Sequence, residues 1–183
     1  MLECFVKICM KIHRFILDFG STDSKITITD EEFINQVRTV LKLKKGEKVI
    51  LSDGRSNEVS AIIINVSSDA VDLEVQEVFQ NISEPNKDVI LYCSILKKEN
   101  FEWVAQKATE VGVKEIIPLI SKRTVKLNLN KERLGKIIKE ACEQSGRGVL
   151  PIIHEPTDFN TAIKKAEIND INLFFDASGK HVK

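Results

Sequence analysis

Between positions 38 and 48 the chain carries Arg38, Lys42, Lys44, Lys45 and Lys48 against one acid, Glu47. A second run, from 122 to 139, carries Lys122, Arg123, Lys126, Lys131, Arg133, Lys136 and Lys139 against Glu132 alone. Cations gathered in this way neutralise phosphates and release the counterions condensed on a nucleic acid. Lys plus Arg and Asp plus Glu are 27 each, so the formal net charge is zero and any such binding has to be local. One isolated cluster reads most simply as a solvated face balanced by acids elsewhere. Two of them in adjacent parts of one chain point to RNA.

The residues name no catalyst by themselves. No Ser/His/Asp or paired-carboxylate arrangement stands out, and Glu99, Glu102 and Glu110 read as solvated helix residues. A dinucleotide-binding fold is disfavoured, because neither GxGxxG nor a Walker-type loop occurs. Gly146-Arg147-Gly148 is explained by a helix C-cap. Cys4, Cys9, Cys93 and Cys142 lack CxxC spacing, and His13, His154 and His181 complete no ligand set, so the expectation is reduced thiols and no metal site. No apolar run reaches the roughly 20 residues of a membrane span, and Met1 to Met10 does not read as a secretory signal. A cytoplasmic protein is expected, with Met10 as its start.

Two kinds of module must hold these residues. Short strand-like runs at His13–Phe19 and Ile26–Thr29 precede a helix opened by a Thr29/Glu32 capping box, lined by Phe33, Val37, Val40 and Leu41, and ending near Leu43. Val49–Leu51, a turn at Asp53-Gly54, Val59–Val66 and Val71–Val78 follow as hairpin-linked strands, which together suggest a small β-barrel. After a linker at Asn81–Asp88 the pattern alternates: strand Val89–Leu96, helix from an Asn100 N-cap to Gly112, strand Ile116–Ile120, helix from Asn130 to Gly146, a brief strand at Pro151–Ile153, helix Asp158–Ala166, and strand Ile171–Phe175. On the helix after Asn130, Leu134, Ile137, Ile138, Ala141 and Cys142 form the buried face, and Glu132/Lys136 and Lys139/Glu143 are i,i+4 pairs.

Several segments, in order, resemble the 16S ribosomal RNA uracil-N3 methyltransferases of the SPOUT superfamily: Gln106-Lys107-Ala108-Thr109-Glu110-Val111-Gly112-Val113, Ile117-Pro118-Leu119, Lys122-Arg123, and Glu140-Ala141-Cys142-Glu143-Gln144-Ser145-Gly146-Arg147 followed by Pro151. Arg14-Phe15, Val40 to Glu47 and Asp53-Gly54 extend the likeness to the front module. The resemblance implies a two-domain α/β protein: a PUA-like, RNA-binding β-barrel over 10–80, followed over 88–183 by the first part of a SPOUT methyltransferase domain. It implies methyl transfer from S-adenosylmethionine to N3 of a uridine in the small-subunit ribosomal RNA, by a homodimer with the cofactor held in a C-terminal knot. Arg14, Lys42, Arg123 and Arg147 become candidates for RNA contact by this likeness, and Arg38, Lys44, Lys45 and Lys126 join them from the clusters. Gln106, Glu110 and Gln144 are expected to orient the elements around the site.

Gln36 and Thr39 stand where the family usually has His and Arg, and Lys42 where it has Arg, which weakens a phosphate contact without removing its charge. The family's G-P-E-G-G and L-R-x-E-T-A segments do not occur in these 183 residues. The expectation is an incomplete SPOUT domain without the knot, which alone does not methylate RNA. The alternative of a different class is an RNA-binding protein without catalysis.

Overall fold

The computed structural model describes residues 12–20, 23–122, 124 and 129–175. In chain order the elements are β1 (His13–Ile16), β2 (Lys25–Ile28), α1 (Glu31–Asn35) continued by a π-helical turn (Gln36–Val40), β3 (Lys48–Ser52), β4 (Asn57–Val66) and β5 (Val71–Gln80). They are followed by β6 (Ile90–Ser94), α2 (Lys98–Glu110), β7 (Glu115–Ile120), α3 (Lys131–Ser145), β8 (Ile152–Ile153), β9 (Thr157–Asp158) and α4 (Phe159–Ala166).

The first five strands form one sheet in the order β1-β3-β4-β5-β2. Its pairings are antiparallel except for β1 alongside β3. Alternation along the strands buries one face: Val49 and Leu51 of β3, Val59, Ala61 and Ile63 of β4, and Val71 and Leu73 of β5 have no exposed surface. Phe15 from one edge strand and Ile26 and Ile28 from the other enter the same core, so the sheet curls round it. Phe33, Ile34 and Val37 of α1 and its π turn fill the open side, with Phe33 edge-on to Phe15 at a centroid distance of 4.9 Å. The expected barrel is therefore a curled sheet closed by a helix.

β6, β7, β8 and β9 make a parallel sheet in which β8 and β9 pair with successive parts of β7. Ile116 faces Phe101, Ala105 and Ala108 of α2 and Leu134, Ile138 and Cys142 of α3, while Ile117 and Leu119 pack with Ala162 of α4. β7 thus has apolar cover on both faces, the environment that its Ile-Ile-Pro-Leu-Ile composition requires.

Several local expectations are corrected. Asp30, not Thr29, caps α1, its carboxylate accepting from Phe33 N at 2.8 Å; an Asp one residue closer to the helix reaches that amide directly. α2 starts at Lys98 instead of after Asn100, because the Lys97 carbonyl already accepts from Asn100 N and Phe101 N. Lys139 pairs with Glu32 of α1 at 3.7 Å and Glu143 accepts from Ile16 N at 2.8 Å, so tertiary partners replace the i,i+4 pair. Ile171–Phe175 forms no strand: it has no ladder partner among the described residues, and Ile171, Leu173, Phe174 and Phe175 are exposed. Asn130 and Gly146 cap α3 as anticipated, with Gly146 at φ 79 donating to Cys142 O.

Candidate nucleic-acid interface

The first basic cluster sits on the strained side of α1. Its α-helical ladder widens into a π turn over Gln36–Val40, with Leu41 N donating to Gln36 O at 2.8 Å, and Lys42 then adopts φ 53. A non-glycine residue held in the left-handed region is a mark of imposed strain, and single π turns concentrate at functional sites. Arg38, Lys42, Lys44, Lys45 and Lys48 are all exposed. The Lys44–Glu47 turn is tied to β4 by Gly46 N to Ile63 O at 2.8 Å and Ile63 N to Glu47 O at 2.9 Å. It therefore lies at the end of the sheet from which the β4–β5 hairpin also emerges.

Between α1 with its π turn and that hairpin lies a groove of about 490 Å³, lined by Thr29, Glu31, Ile34, Asn35, Arg38, Thr39, Ser68 and Asp69. Of these, only Arg38 is an RNA-contact candidate from the sequence; Thr29 enters there as a helix cap and Thr39 as a departure from the family pattern. The groove was invisible there because the hairpin tip reads only as turn chemistry until the curl of the sheet brings it opposite α1.

A second cleft, of about 240 Å³, opens between α2 and α3 and is lined by Glu99, Glu102, Trp103, Gln106, Ile137, Glu140, Ala141 and Gln144. Gln106 and Gln144 both line this cleft, whereas Glu110 is not in the lining and pairs with Lys107 at 2.8 Å. Arg133 grips Glu102 with a fork of 2.6 and 2.9 Å. Trp103, 64% exposed, is a surface residue that the helical pattern left unremarked.

Two of the residues expected to contact RNA are engaged in ion pairs within the fold. Arg147 is 4% exposed: Nη1 donates to the Thr109 and Val113 carbonyls at 3.1 and 2.7 Å, and Nη2 to Glu84 at 2.7 Å. Glu84 also accepts from Gly148 N and Val149 N, so the pair fastens the segment after α3 to the linker before β6. Folding draws the guanidinium onto carbonyls at the end of α2 and of the turn that follows it, a role no local pattern reveals. Arg14 is likewise bound to Glu58, whose side chain is fully buried and also accepts from Asn81 Nδ2. Arg123 and Lys126 lie outside the described residues, as do Cys4 and Cys9.

Cys142 is buried, and desolvation pushes its thiol up to about 12; burial also raises Cys93. Among the described residues no group of three or more His, Cys, Asp or Glu side chains is placed to hold a metal ion. No helix of the described residues is long and apolar enough to cross a membrane.

Fold and surface define an α/β protein with a curled, cation-bearing sheet module at its front. The chain belongs to the family of the RNA methyltransferase domain, whose model matches residues 83–183, more than half of the chain; the RNA methyltransferase PUA domain matches residues 37–76. It is 29% identical over 159 residues to ribosomal RNA small subunit methyltransferase E of Rickettsia conorii, covering 85% of this chain and 64% of that protein. The same-named protein of Bacillus subtilis is 29% identical over 147 residues, 77% of this chain and 57% of its own length. The chain therefore spans about three fifths of the length of these relatives. A Neisseria gonorrhoeae ribosomal RNA small subunit methyltransferase E bound to S-adenosyl methionine shares the fold, with a TM-score of 0.76 at 23% identity over 85% of this chain and 65% of that one. A Legionella pneumophila structure with bound cofactor SAM superposes with a TM-score of 0.75 at 27% identity, covering 86% of this chain and 67% of the other.

The α2/α3 cleft is a poor fit to such a cofactor. The α2/α3 cleft is smaller than the ~300–1,000 Å³ of ordinary ligand sites, and its walls are two helices whose interior amides are engaged in their own ladders.

Proposed function

We propose that this chain is the RNA-binding front part of a methyltransferase that uses S-adenosylmethionine to methylate N3 of a uridine in 16S ribosomal RNA, in the cytoplasm. Residues 10–80 act as the RNA-binding unit and 88–183 as the first part of the methyltransferase domain. The observation that carries this reading is the exposed run of Arg38, Lys42, Lys44 and Lys45 round the π turn, on the unit that matches the PUA domain of RNA methyltransferases. Each phosphate contact contributes about 0.7–0.9 to the slope of log affinity against log salt. Binding to a small-subunit ribosomal RNA fragment, followed by gel shift across a salt series, is expected to show a steep slope that shallows in Lys44→Ala and Lys45→Ala. No binding at low salt rejects the reading.

The family's homodimer is part of the proposal for the full-length protein. These 183 residues by themselves act as a non-catalytic RNA-binding unit, a reading favoured by the unsuitability of the α2/α3 cleft for the cofactor. Calorimetric titration with S-adenosylmethionine is expected to give no heat of binding; a saturable isotherm overturns this part.

A further inference from the structure

The groove beside the π turn differs chemically from the basic surface around it. Its volume of about 490 Å³ lies within the ~300–1,000 Å³ of ligand sites, and its lining includes two carboxylates, Glu31 and Asp69, one guanidinium, Arg38, and the amide of Asn35. Two carboxylates repel a bare phosphate from the interior, whereas the exposed Lys44 and Lys45 nearby attract one. A strand passing over this end of the sheet therefore keeps its backbone on the lysines and offers the groove an uncharged base. Asp69 is already held for that role. Its Oδ1 accepts from Ser67 Oγ at 2.9 Å and Ser68 Oγ at 3.3 Å, in a hairpin closed by Ser67 N to Ala70 O at 2.9 Å.

With Oδ1 engaged by the two serines, Oδ2 and its two lone pairs are the acceptor that Asp69 offers a ligand. Among the four RNA bases only guanine presents two adjacent N–H donors on one edge, N1–H and N2–H; adenine and cytosine present an amino group beside an acceptor, and uracil a single N–H. Arginine is the complementary donor for the guanine O6 and N7 acceptors. Unpaired bases in loops expose these edges to proteins. We propose that the groove between α1 and the β4–β5 hairpin selects an unpaired guanine of the bound RNA, Asp69 accepting from its N1–H and N2–H and Arg38 donating to its acceptor edge. This rests on the RNA-binding reading and adds base selectivity to it.

The test is fluorescence anisotropy of the full chain with two single-stranded RNAs of about ten nucleotides, a length within the span of small single-strand-binding modules. One is all uridine and the other carries one central guanosine. The guanosine strand is expected to bind about tenfold tighter, the lower end of discrimination by a bidentate contact. Asp69→Asn, which replaces one acceptor oxygen by a donor, is expected to abolish the preference, so that the guanosine and uridine strands bind it equally. Lys44→Glu with Lys45→Glu weakens both strands alike. Thermal melts monitored by circular dichroism establish that each variant is folded. Equal binding of both strands by the wild type, or a preference retained in Asp69→Asn, overturns the guanine assignment and leaves RNA binding intact. Binding of neither strand at low salt rejects the RNA reading itself, and this inference with it.

Discussion

Arg147 meets the Glu84 carboxylate and two main-chain carbonyls in a site with 4% exposure, so its charge is matched on every side by acceptors. Removing one partner of such a buried pair costs about 3–5 kcal/mol, because the other charge is left uncompensated. Arg147→Met is therefore expected to lose up to that much in urea denaturation, less in so far as Glu84 keeps 23% of its side chain in solvent, and Arg147→Lys to recover only part, since an ammonium cannot span the same acceptors. RNA affinity per folded molecule should not change. Glu143 sits in the opposite situation. Burial raises its pKa, and the hydrogen bond from Ile16 N only partly offsets this. A carboxyl whose folded pKa lies above its unfolded value of about 4.3 makes the native state bind more protons, so stability falls as pH rises between the two values and the penalty is complete above the folded one. Glu143→Gln keeps an acceptor for Ile16 N and has no charge to bury. Its unfolding free energy relative to wild type should therefore improve from acid to neutral pH; a difference independent of pH contradicts the assignment.

At the scale of elements, α1 with its π turn joins fold to function, and Lys42 at φ 53 shows the two in tension. An L-residue in the left-handed region costs about 1–2 kcal/mol, and glycine's extra freedom in the unfolded chain costs about 0.5–1 kcal/mol. Lys42→Gly should therefore stabilise the chain by roughly 0.5–1 kcal/mol while weakening RNA binding and reducing its salt slope by about one contact. Chemical denaturation and gel shift on the same variant read both effects. The existence of this helix was legible from Phe33, Val37 and an acceptor before it, because a 3.6-residue period needs no tertiary information. Its widening at Gln36 was not, since a π turn differs from an α turn by one hydrogen-bond step that composition does not record. The same division runs through the molecule. The Asn130 and Gly146 caps of α3 are local chemistry and were readable, as was the doubly covered strand β7. The fate of Arg14 and Arg147 depends on Glu58 and Glu84, 44 and 63 positions away, and only the folded chain brings these together. The groove at Asp69 was beyond reach for the same reason.

At the scale of the whole molecule, the two sheets have separate cores but share a seam. Ile16 of β1 is buried in the core beneath α2 and α3. The β3–β4 loop meets the segment after α3 through Ser56 N to Gly148 O at 2.8 Å and Leu150 N to Gly54 O at 3.1 Å. Asn81 joins both sides by donating to Glu58 and to Gly146 O, and Lys139 reaches Glu32 of α1. A methyl group added at Gly148 would press into the Asn81 side chain, which cannot retreat without giving up its two acceptors. Overpacking at such a site costs about 1–3 kcal/mol, and here the cost falls on the seam and not on either core. Trp103 lies on α2 and is the chain's only tryptophan, so its fluorescence follows the rear unit, while far-ultraviolet circular dichroism follows both. In the wild type the two denaturation curves should coincide, as a coupled all-or-none transition requires. In Gly148→Ala they should separate, with α1 and its groove losing their fixed relation to α3. Separate curves already in the wild type would mean that the seam does not couple the units. The sheet module and the α2/α3 unit would then unfold as independent parts.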